Sequence, residues 1–423
     1  MPLTFSTALS GLRANSESLG VTGNNIANAN TTAYKASSLN FADAYNDSLN
    51  TKFNGAGQAL QVGSGVQTAG VTTSFGQGTL DESGSALNVG IQGSGYFVVT
   101  DTNGTTSYTR AGDFSLDRAG FLVTPVGDQV QGYQAVNGAI PPDAPLSAIK
   151  APLGDFVSPT ATSQATFRVN LSANDAVASA FHSPVQIYDS LGVSHTLDML
   201  YTKTGDGAYT VTATVDGNAA QVDADGGGAA ASASMTFDSD GQLTAPANTL
   251  AVVADQTQLN GATLPDIDIT LFTINPDGSQ GASLITNFDT ASAIASTNQN
   301  GFASGTLAGL SFEADGSGQL LAVYSNGQTR AFGQVAIATF NSQEGLRRLG
   351  NNLLGQTASS GPPSIGTAGS GGRGEIVGGV LEKSNVDIAT EFTQLIIAQR
   401  GFQANSRVIT TINQTLQDLI QIV

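Results

Sequence analysis

The chain of 423 residues contains no cysteine, which excludes disulfides, thiolate metal sites and cysteine catalysis. Its net charge of −18 argues against nucleic acid or an anionic membrane as the partner. With 51 glycines and only 11% charged residues, the composition indicates a β-rich, turn-rich protein and not an α/β enzyme. No apolar run reaches the length of about 18 residues that a transmembrane helix needs. The first residues lack a basic segment and an apolar core, so no cleaved signal peptide is expected.

Residues 1–30 predict an amphipathic helix. Apolar residues recur at alternating steps of four and three, the spacing of a helix that packs against other helices. The predicted seam residues are Phe5, Leu9, Leu12, Leu19 and Ile26. Because Ser16 and Gly23 interrupt the stripe, we expect it to become buried between subunits on assembly.

Residues 31–75 are rich in Asn, Gly, Ser and Thr and predict an extended connector with few regular elements. A return connector is predicted at 357–381, where Gly and Ser are again frequent. Between the connectors, short apolar strands alternate with glycine-containing turns, as in an antiparallel sheet. These strands predict an inner β-domain formed by residues 76–145 and 290–356.

Pro141, Pro142 and Pro145 mark a boundary, after which residues 146–289 predict a separate outer β-domain. The strand candidates of this domain are 165–171, 184–188, 195–202, 208–215, 233–237 and 267–274. All its acidic residues are Asp, which favours turns as the location of its charges. Asp-Gly pairings at chain reversals, as in 117–120 and 238–241, predict hairpin loops and not a true repeat.

Residues 382–423 predict a second, long helix that contains no proline. Ser384 and Asn385 offer an N-cap, and Asp387 lies where the helix dipole favours a negative charge. The predicted seam residues are Ile388, Phe392, Leu395, Phe402, Ile409, Leu416 and Ile420. A second stripe runs beside this seam, which makes a face too broad for one partner helix. We therefore expect the two ends of the chain to pair as helices and to meet several neighbours.

The sequence carries no recognisable catalytic or cofactor motif. It lacks a phosphate-binding loop, a zinc-protease motif and EF-hand spacing. Its only histidines, His182 and His195, have no neighbouring Cys or Glu, and we interpret them as ordinary strand and loop residues. The acidic stretches 223–225 and 238–240 supply too few oxygen ligands for Ca²⁺, and we interpret them as turns. No enzyme activity, metal or cofactor is predicted.

Motifs at both ends resemble those of the bacterial flagellar rod and hook family. At the N-terminal end the motifs are Ser10-Gly11-Leu12-Arg13-Ala14-Asn15, Asn24-Asn25-Ile26-Ala27-Asn28 and 31–35. At the C-terminal end they are 379–387, which contains Ser384-Asn385-Val386-Asp387, and Gln399-Arg400-Gly401-Phe402-Gln403-Ala404-Asn405. In the middle, Gly95-Tyr96-Phe97 and 108–114 are similar to the family's shared β-domain. One departure is Ala33, where the family usually has Gly, so a turn restricted to glycine is not expected there.

The resemblance implies a mainly β fold with paired terminal helices and two antiparallel β-domains, nested from the helices outward. Within the family, the insertion at 146–289 and the phrase at 186–192 favour hook members over the shorter rod members. Hook members are implied to assemble into a curved, hollow helical tube, a universal joint that transmits motor torque from rod to filament. The implied partners are further copies of the chain, rod proteins, the hook cap, hook–filament junction proteins and the flagellar type III export apparatus. The implied location is the extracellular hook, reached without a cleaved signal peptide.

Two other interpretations remain open from the sequence. A distal rod-type basal-body protein would share both ends of the chain but would lack the insertion. A secreted β-rich surface protein would account for the middle of the chain but not for the paired helical stripes.

Overall fold

The computed structural model describes residues 3–45, 63–247, 249–259, 261–277 and 279–422. The chain folds into two compact units. Unit 1 comprises Met1–Leu153, Gly309–Ala322 and Thr329–Val423, and unit 2 comprises Gly154–Ala308 and Val323–Gln328. The chain thus begins and ends in unit 1.

The helices and strands follow one another along the chain in three groups. The first part of unit 1 contains α1 (Leu3–Ala27), β1 (Ser37–Tyr45), β2 (Gly63–Thr73), β3 (Leu80–Glu82), β4 (Val89–Gln92), β5 (Tyr96–Thr100), β6 (Thr106–Thr109), β7 (Ser115–Leu116), β8 (Leu122–Val123), β9 (Gln129–Gln134) and β10 (Leu146–Ala148). Unit 2 contains β11 (Phe156–Val157), β12 (Gln164–Asn170), β13 (Ala180–Tyr188), β14 (Ser194–Gly205), β15 (Ala208–Val215), β16 (Asn218–Ala224), β17 (Ala233–Phe237), β18 (Leu243–Ala245), β19 (Leu250–Val253), a 3₁₀ turn (Gln256–Gln258), β20 (Ile267–Thr270), β21 (Phe272–Ile274), β22 (Gln280–Ser283), β23 (Ile285–Thr286) and β24 (Ala293–Gln299). The last elements are β25 (Gly305–Phe312), β26 (Gln319–Tyr324), β27 (Thr329–Thr339), β28 (Arg347–Gly350), β29 (Leu353–Gly355), β30 (Ser364–Thr367), β31 (Glu375–Gly378), β32 (Val380–Glu382) and α2 (Ile388–Ile422).

The main sheet of unit 1 runs in the order β25-β26-β27-β9-β5-β6-β29-β28. Its strands β5 and β27 are covered on both faces, because residues 96–99 and 335–338 are at most 2% exposed. Both stretches are continuous apolar runs, which are typical of strands buried on two sides. The ring of Phe97 packs edge-on against Phe114, with ring centroids 5.1 Å apart.

The returning part of the chain pairs partly with its outgoing part. β31 pairs with β4 and β32 with β3, whereas β30 pairs with β27 of the returning part, all antiparallel. The predicted return connector at 357–381 therefore contains β30, β31 and most of β32, and residue 382, predicted to be helical, ends a strand. These strands are only three or four residues long, so their pairing leaves no periodic signal in the sequence.

A long hairpin occupies much of the predicted connector at 31–75. β1 and β2 pair antiparallel, with two shifts of register. The hairpin lies along α1, where Ser10 accepts a hydrogen bond from the Val66 amide at 3.2 Å and Glu17 accepts one from Thr68. The prediction of few regular elements was wrong because backbone pairing and cover by α1 stabilise strands whose side chains are mostly polar. The part of this connector between 46 and 62 lies outside the described residues.

Unit 2 is built on a sheet in the order β13-β14-β15-β16-β19-β20-β12-β23. Its apolar core is contiguous, and Phe167, Met199 and Tyr201 are among its fully buried side chains. Pro184 lies in β13, at the end of that order, where a missing backbone N–H costs least. The expected antiparallel pairing holds for most strands, but β12 is parallel to both β20 and β23. These parallel partners follow β12 only after a long intervening stretch, as a parallel pairing requires.

The bounds of unit 2 differ from the predicted outer domain, 146–289. β10 pairs with β9 in unit 1, and the fully buried Ile149 lies there against Gly132 and Gly333. At the other side, β24 lies beyond residue 289 and pairs with β12 in unit 2. The prolines at 141–145 therefore mark a turn inside unit 1, because the strand that follows them still pairs with β9.

Within the described chain, four hairpin loops share the pattern Asp-x-x-Gly and one geometry. They begin at Asp101, Asp117, Asp189 and Asp238. In each loop one carboxylate oxygen accepts hydrogen bonds from the backbone amides two and four residues later, at 2.8 to 2.9 Å. The glycines have φ between 74° and 88°, the left-handed conformation that closes a type I turn with a bulge. The hairpins predicted at 117–120 and 238–241 are confirmed.

Candidate assembly interface

Helices α1 and α2 lie against each other, and at two points a glycine of one helix faces an asparagine of the other. A Cβ on Gly11 would lie 2.7 Å from Nδ2 of Asn405, and one on Gly401 would lie 2.6 Å from Oδ1 of Asn15. Asn15 also donates from Nδ2 to the Gly11 carbonyl at 2.7 Å, which orients its amide. Each glycine thus leaves the space that an asparagine of the other helix occupies.

The predicted seam residues fall into two groups. Partly buried within the chain are Phe5, Leu9, Leu12, Leu19, Ile26, Leu395, Phe402 and Ile409. Exposed to solvent are Ile388 (46%), Phe392 (50%) and Leu416 (44%). The side chain of Ile420 lies outside the described residues. The seam is therefore only in part a contact within one chain.

Helix α2 exposes further apolar residues beyond the predicted seam. Ile396, Ile397 and Val408 are 49%, 58% and 44% exposed. Together with Ile388, Phe392 and Leu416 they form what we call the uncovered residues of α2, which are spread around the helix and not confined to one face. Covering such a side chain contributes up to about 1–2 kcal/mol, so burial of these residues by neighbours would favour association.

Asn25, from the N-terminal motif, is 1% exposed and connects three elements. Its Oδ1 accepts hydrogen bonds from the Ser37 amide at 3.0 Å and the Tyr34 hydroxyl at 3.3 Å. Its Nδ2 donates to the Ser37 carbonyl at 2.7 Å and to Oε1 of Glu391 at 2.9 Å. Only an amide side chain donates and accepts in this way. Asn25 therefore fastens the end of α1 to the start of β1 and to the first turn of α2.

The turn after α1 uses the rest of this motif. Asn28 donates to Oδ1 of Asn24 at 2.8 Å and accepts from the Thr31 hydroxyl at 3.1 Å. Ala33 follows with φ of 56°, the left-handed conformation that glycine adopts at lower cost. The turn at this position is therefore not restricted to glycine, as the sequence predicted. Ile26 and Ala27, also in the motif, belong to the last turn of α1.

The motif before α2 supplies the helix cap, but at a different residue from the one predicted. Oδ1 of Asp387 accepts from the Thr390 amide at 2.8 Å, and this hydrogen bond lowers the pKa of the Asp387 carboxyl. Asn385, the predicted cap, instead accepts from the Ala36 amide at 2.8 Å and donates to the carbonyls of Ser74 and Gly76. The prediction was wrong because Asn385 is engaged by the opposite end of the chain. Ser384 contacts the Val386 amide, at 3.3 Å.

Three motifs meet at a buried group of charges, which we call the Glu382 cluster (Lys35, Arg110, Glu382). Lys35 Nζ lies 2.5 Å from Oε1 of Glu382, and Arg110 Nη1 lies 3.0 Å from Oε2. Lys35 and Arg110 are each 8% exposed, and Glu382 is 1% exposed. Each residue lies inside a family motif, but none had a predicted role. A signal was present, since charged residues inside apolar or Gly-rich segments are unusual unless paired.

Burial dominates the electrostatics around this cluster. Desolvation lowers the pKa of Lys35, although the hydrogen bond to Glu382 opposes this shift. Burial also raises the pKa of Tyr96 to about 12. The guanidinium of Arg110 lies 5.8 Å from the centre of the Tyr96 ring, a cation–π distance. The cluster is therefore a desolvated structural site.

In the last motif, residues 399–405 of α2, some side chains are in contact with the rest of the chain and others are exposed. Phe402 is partly buried and Asn405 contacts α1 at Gly11, whereas Gln399, Arg400 and Gln403 are exposed. These three polar residues therefore face solvent, among the uncovered residues of α2.

The residues considered as candidates for catalysis or metal binding make structural contacts. His182 pairs with Asp198 at 2.7 Å, while His195 lies between Asp216 at 2.6 Å and Asp189 at 3.2 Å. Asp223 and Asp238 accept hydrogen bonds from backbone amides of their own turns, and Asp225 accepts one from the Ala247 amide at 2.9 Å. Within the described ranges no group of three or more His, Asp or Glu residues is placed to hold a metal ion. Across the same part of the chain, no helix is both long and apolar enough to cross a membrane.

Family models match the two ends and the middle of the chain. The model described as flagella basal body rod protein matches residues 5–35, and the C-terminal model of flagellar basal body rod FlgEFG proteins matches 377–422. The D2 domain of flagellar basal body protein FlaE matches 123–302, a range that begins before unit 2. The two helical ends of the chain are similar to those of rod proteins, and a β-domain is added between them. These features define an axial protein of the bacterial flagellum.

Similarity to whole proteins is more specific. The chain is 33% identical over 446 residues to the flagellar hook protein FlgE of Salmonella typhimurium, which covers 99% of this chain and 100% of that protein. It is 32% identical over 462 residues to the flagellar hook protein FlgE of Treponema pallidum, with 98% of each covered. The chain belongs to the flagellar hook protein FlgE family, a family of structural proteins and not of enzymes.

The fold agrees with this assignment. The crystal structure of Helicobacter pylori flagellar hook protein FlgE2 matches with a TM-score of 0.52 at 14% identity, covering 72% of this chain and 100% of that one. The mainly β fold with terminal helices and the resemblance to the rod and hook family, both predicted from the sequence, are confirmed.

Proposed function

We propose that this chain is the structural subunit of the bacterial flagellar hook. Copies of it polymerise into a curved, hollow helical tube that acts as a universal joint, transmitting motor torque from rod to filament in motility. The observation that carries this proposal is the set of uncovered residues of α2, because a 35-residue helix leaves six large apolar side chains 44–58% exposed on several of its sides. Identical subunits joined through non-identical surfaces propagate as a helix.

The chain's organisation supports a nested subunit. The predicted terminal helices, 1–30 and 382–423, form the inner tube, and the inner β-structure surrounds them. Unit 2, with no helix longer than a 3₁₀ turn in its described residues, contributes no helix to that inner tube. In this arrangement the seam residues of both helices become inter-subunit contacts.

The same arrangement indicates the partners. Both chain ends match rod-protein families, so we expect this subunit to contact the rod proteins through its two ends. The hook cap, the hook–filament junction proteins and the type III export apparatus are the further partners. We place the protein in the extracellular hook, exported without a cleaved signal peptide, and assign it no enzymatic activity and no cofactor.

Leu416→Asp tests the inner contact. The substitution puts a charge into a surface that neighbouring subunits cover, at a cost of at least about 3 kcal/mol per subunit. We expect the purified variant to stay unassembled at concentrations where the wild type forms tubes, measured by sedimentation and electron microscopy.

Thr411→Asp is the matched control, because Thr411 is exposed, lies outside both apolar stripes and falls on the side of α2 that carries the charged residues Arg400 and Asp418. This variant should assemble normally. Tubes formed by Leu416→Asp at the wild-type concentration would show that Leu416 does not lie in the subunit contact.

A further inference from the structure

The described part of the chain contains four Asn-Gly pairs, at Asn103–Gly104, Asn137–Gly138, Asn300–Gly301 and Asn326–Gly327. Two more, at 54–55 and 260–261, include residues outside the described ranges. In such a pair the backbone nitrogen of glycine can attack Cγ of the asparagine side chain, because glycine has no Cβ to obstruct the approach. The reaction needs a glycine N–H that is not held in a hydrogen bond and an asparagine amide that is able to turn toward it.

This attack is a self-modification in which water is the only other reactant. The glycine nitrogen bonds to Cγ, the Cγ–Nδ2 bond breaks, and Nδ2 leaves as ammonia with the proton of the glycine N–H. Water then opens the resulting succinimide ring at one of its two carbonyls. The product is aspartate or isoaspartate, so the chain gains one negative charge at neutral pH.

The pair at Asn300–Gly301 is held against this attack on both sides. Oδ1 of Asn300 accepts hydrogen bonds from the amides of Ser163 and Gln164, both at 3.0 Å. The Gly301 amide donates to Oε1 of Gln299 at 2.5 Å. Both the asparagine side chain and the attacking nitrogen are therefore fixed in other contacts.

The pair at Asn326–Gly327 is held in the same way. Nδ2 of Asn326 donates to the Ala303 carbonyl at 2.8 Å. The Gly327 amide donates to the Tyr324 carbonyl at 3.0 Å. At least two hydrogen bonds must therefore break before the nitrogen of Gly327 can reach Cγ of Asn326.

The pair at Asn103–Gly104 lies in one of the Asp-x-x-Gly loops and is restrained by Asp101. The Gly104 amide donates to the Asp101 carbonyl at 3.1 Å, and Nδ2 of Asn103 lies 3.4 Å from Oδ2 of Asp101. The carboxylate also disfavours loss of the glycine N–H proton, because a nearby negative charge opposes a second one. This pair is exposed, but its nitrogen is engaged.

The pair at Asn137–Gly138 lacks these restraints. The two residues form the tip of a hairpin, where φ values of 54° and 83° indicate a type I′ turn. Asn137 is exposed, and neither its side chain nor the Gly138 N–H has a hydrogen-bond partner among the described residues. The bridge that closes the turn, between Val136 and Ala139, is isolated, so the tip opens at low free-energy cost.

A cation lies beside this pair. The side chain of Arg330 runs past Gly138, where a Cβ would lie 3.8 to 4.0 Å from its Cβ, Cγ and Cδ. Arg330 belongs to β27 and is exposed. Its positive charge favours both the deprotonated glycine nitrogen that makes the attack and the carboxylate that the reaction forms.

We propose that Asn137 is a site of spontaneous deamidation and that the charge of Arg330 accelerates the reaction there. Hydrogen bonds protect the other three described pairs. The modification turns a neutral hairpin tip beside an arginine into a negatively charged one. It depends on the fold of unit 1 alone and needs neither the terminal helices nor assembly.

The test follows the four pairs by peptide mass spectrometry while the purified full-length chain is incubated at mildly alkaline pH. In the folded chain Asn137 should convert at least about tenfold faster than Asn300 and Asn326, and faster than Asn103. In denaturant the four pairs should convert at similar rates, because only the fold distinguishes them. Arg330→Gln should slow the conversion of Asn137 by about two- to fivefold in the folded chain and leave its rate in denaturant unchanged.

Asn137→Gln is the matched control, because glutamine would have to close a larger ring, which forms far more slowly. The mass of its peptide should stay constant while the other pairs react as in the wild type. The proposal is overturned if Asn137 converts no faster than Asn300 and Asn326 in the folded chain, or if its lead is just as large in denaturant. Conversion at the wild-type rate in folded Arg330→Gln would overturn the role of Arg330.

Discussion

Asp189, His195 and Asp216 form a hydrogen-bonded group of titratable side chains in unit 2. Nε2 of His195 lies 3.2 Å from Asp189 and Nδ1 lies 2.6 Å from Asp216. Burial lowers the pKa of His195, but its hydrogen bonds to Asp216 and Asp189 outweigh this and leave the pKa raised. The pKa values of Asp189 and Asp216 are lowered, because backbone amides and His195 donate to their carboxylates against the effect of burial. The imidazolium therefore joins the loop after β13 to the turn after β15.

This raised pKa makes the stability of unit 2 depend on pH. A His whose pKa is raised by folding contributes fully below its unfolded pKa of about 6.5, and the contribution is lost as pH rises through the folded value. We expect His195→Gln to lower the unfolding free energy of unit 2 by about 1–2 kcal/mol near pH 6 and by less at pH 9. Calorimetry of the full chain at both pH values measures the difference.

His182→Gln is the control for this effect. His182 contacts a single carboxylate, and its side chain is 62% exposed, so water screens the pair. We expect the melting temperature of the His182→Gln variant to equal that of the wild type at both pH values. An equal loss at pH 6 and pH 9 in His195→Gln would show that the ring acts by packing and not by charge.

At the scale of elements, the helix pair depends on small residues at its crossing. Gly401→Leu overfills the space occupied by Asn15 and should separate the helices, at a cost of about 1–3 kcal/mol. Gly20→Leu is the matched change, because nothing lies within 4 Å of a Cβ at Gly20. Because Leu has a higher helix propensity than Gly, helix α1 should be more stable in the Gly20→Leu variant.

Helical circular dichroism and amide exchange of the unassembled chains distinguish the two variants. Loss of protection along both α1 and α2 is expected in Gly401→Leu only. Equal behaviour of the two variants would mean that the helices do not meet at this crossing.

At the scale of the whole molecule, unit 2 is an insertion with adjacent ends. Phe156 pairs with Thr306, so the chain enters and leaves unit 2 side by side. We expect removal of 154–308, with a short Gly/Ser join, to leave unit 1 folded and able to polymerise. Electron microscopy of hooks from cells that carry only this variant should show a thinner tube of altered curvature, and swimming should be impaired.

Removal of 146–289 is the matched deletion, because it cuts at the sequence-predicted bounds. It takes away β10 and the buried Ile149 from unit 1 and leaves β24 without its partner β12. We expect this variant to aggregate. Failure of the 154–308 deletion to polymerise despite normal export would make unit 2 an essential subunit contact.

The sequence by itself determined those features of this protein that depend on residues close together in the chain. The Asp-x-x-Gly loops were predictable because carboxylate, amides and glycine all lie within five residues and need no other part of the chain. The apolar stripes of both helices were predictable for a similar reason, since their periodicity follows from helix geometry. The family motifs were also readable, and they led to the correct family.

Only the tertiary structure decided which distant groups meet. Lys35 and Glu382 are separated by 347 positions, and neither shows alone that it is buried with Arg110. The same holds for β1, β2 and the returning strands, whose backbone pairing leaves no pattern in polar or Gly-rich side chains. Asn385 illustrates the point at one residue, because its amide suits a helix cap or a bridge between chain ends. The choice depended on whether Ala36 and Ser74 lay within reach, which is a property of the folded chain.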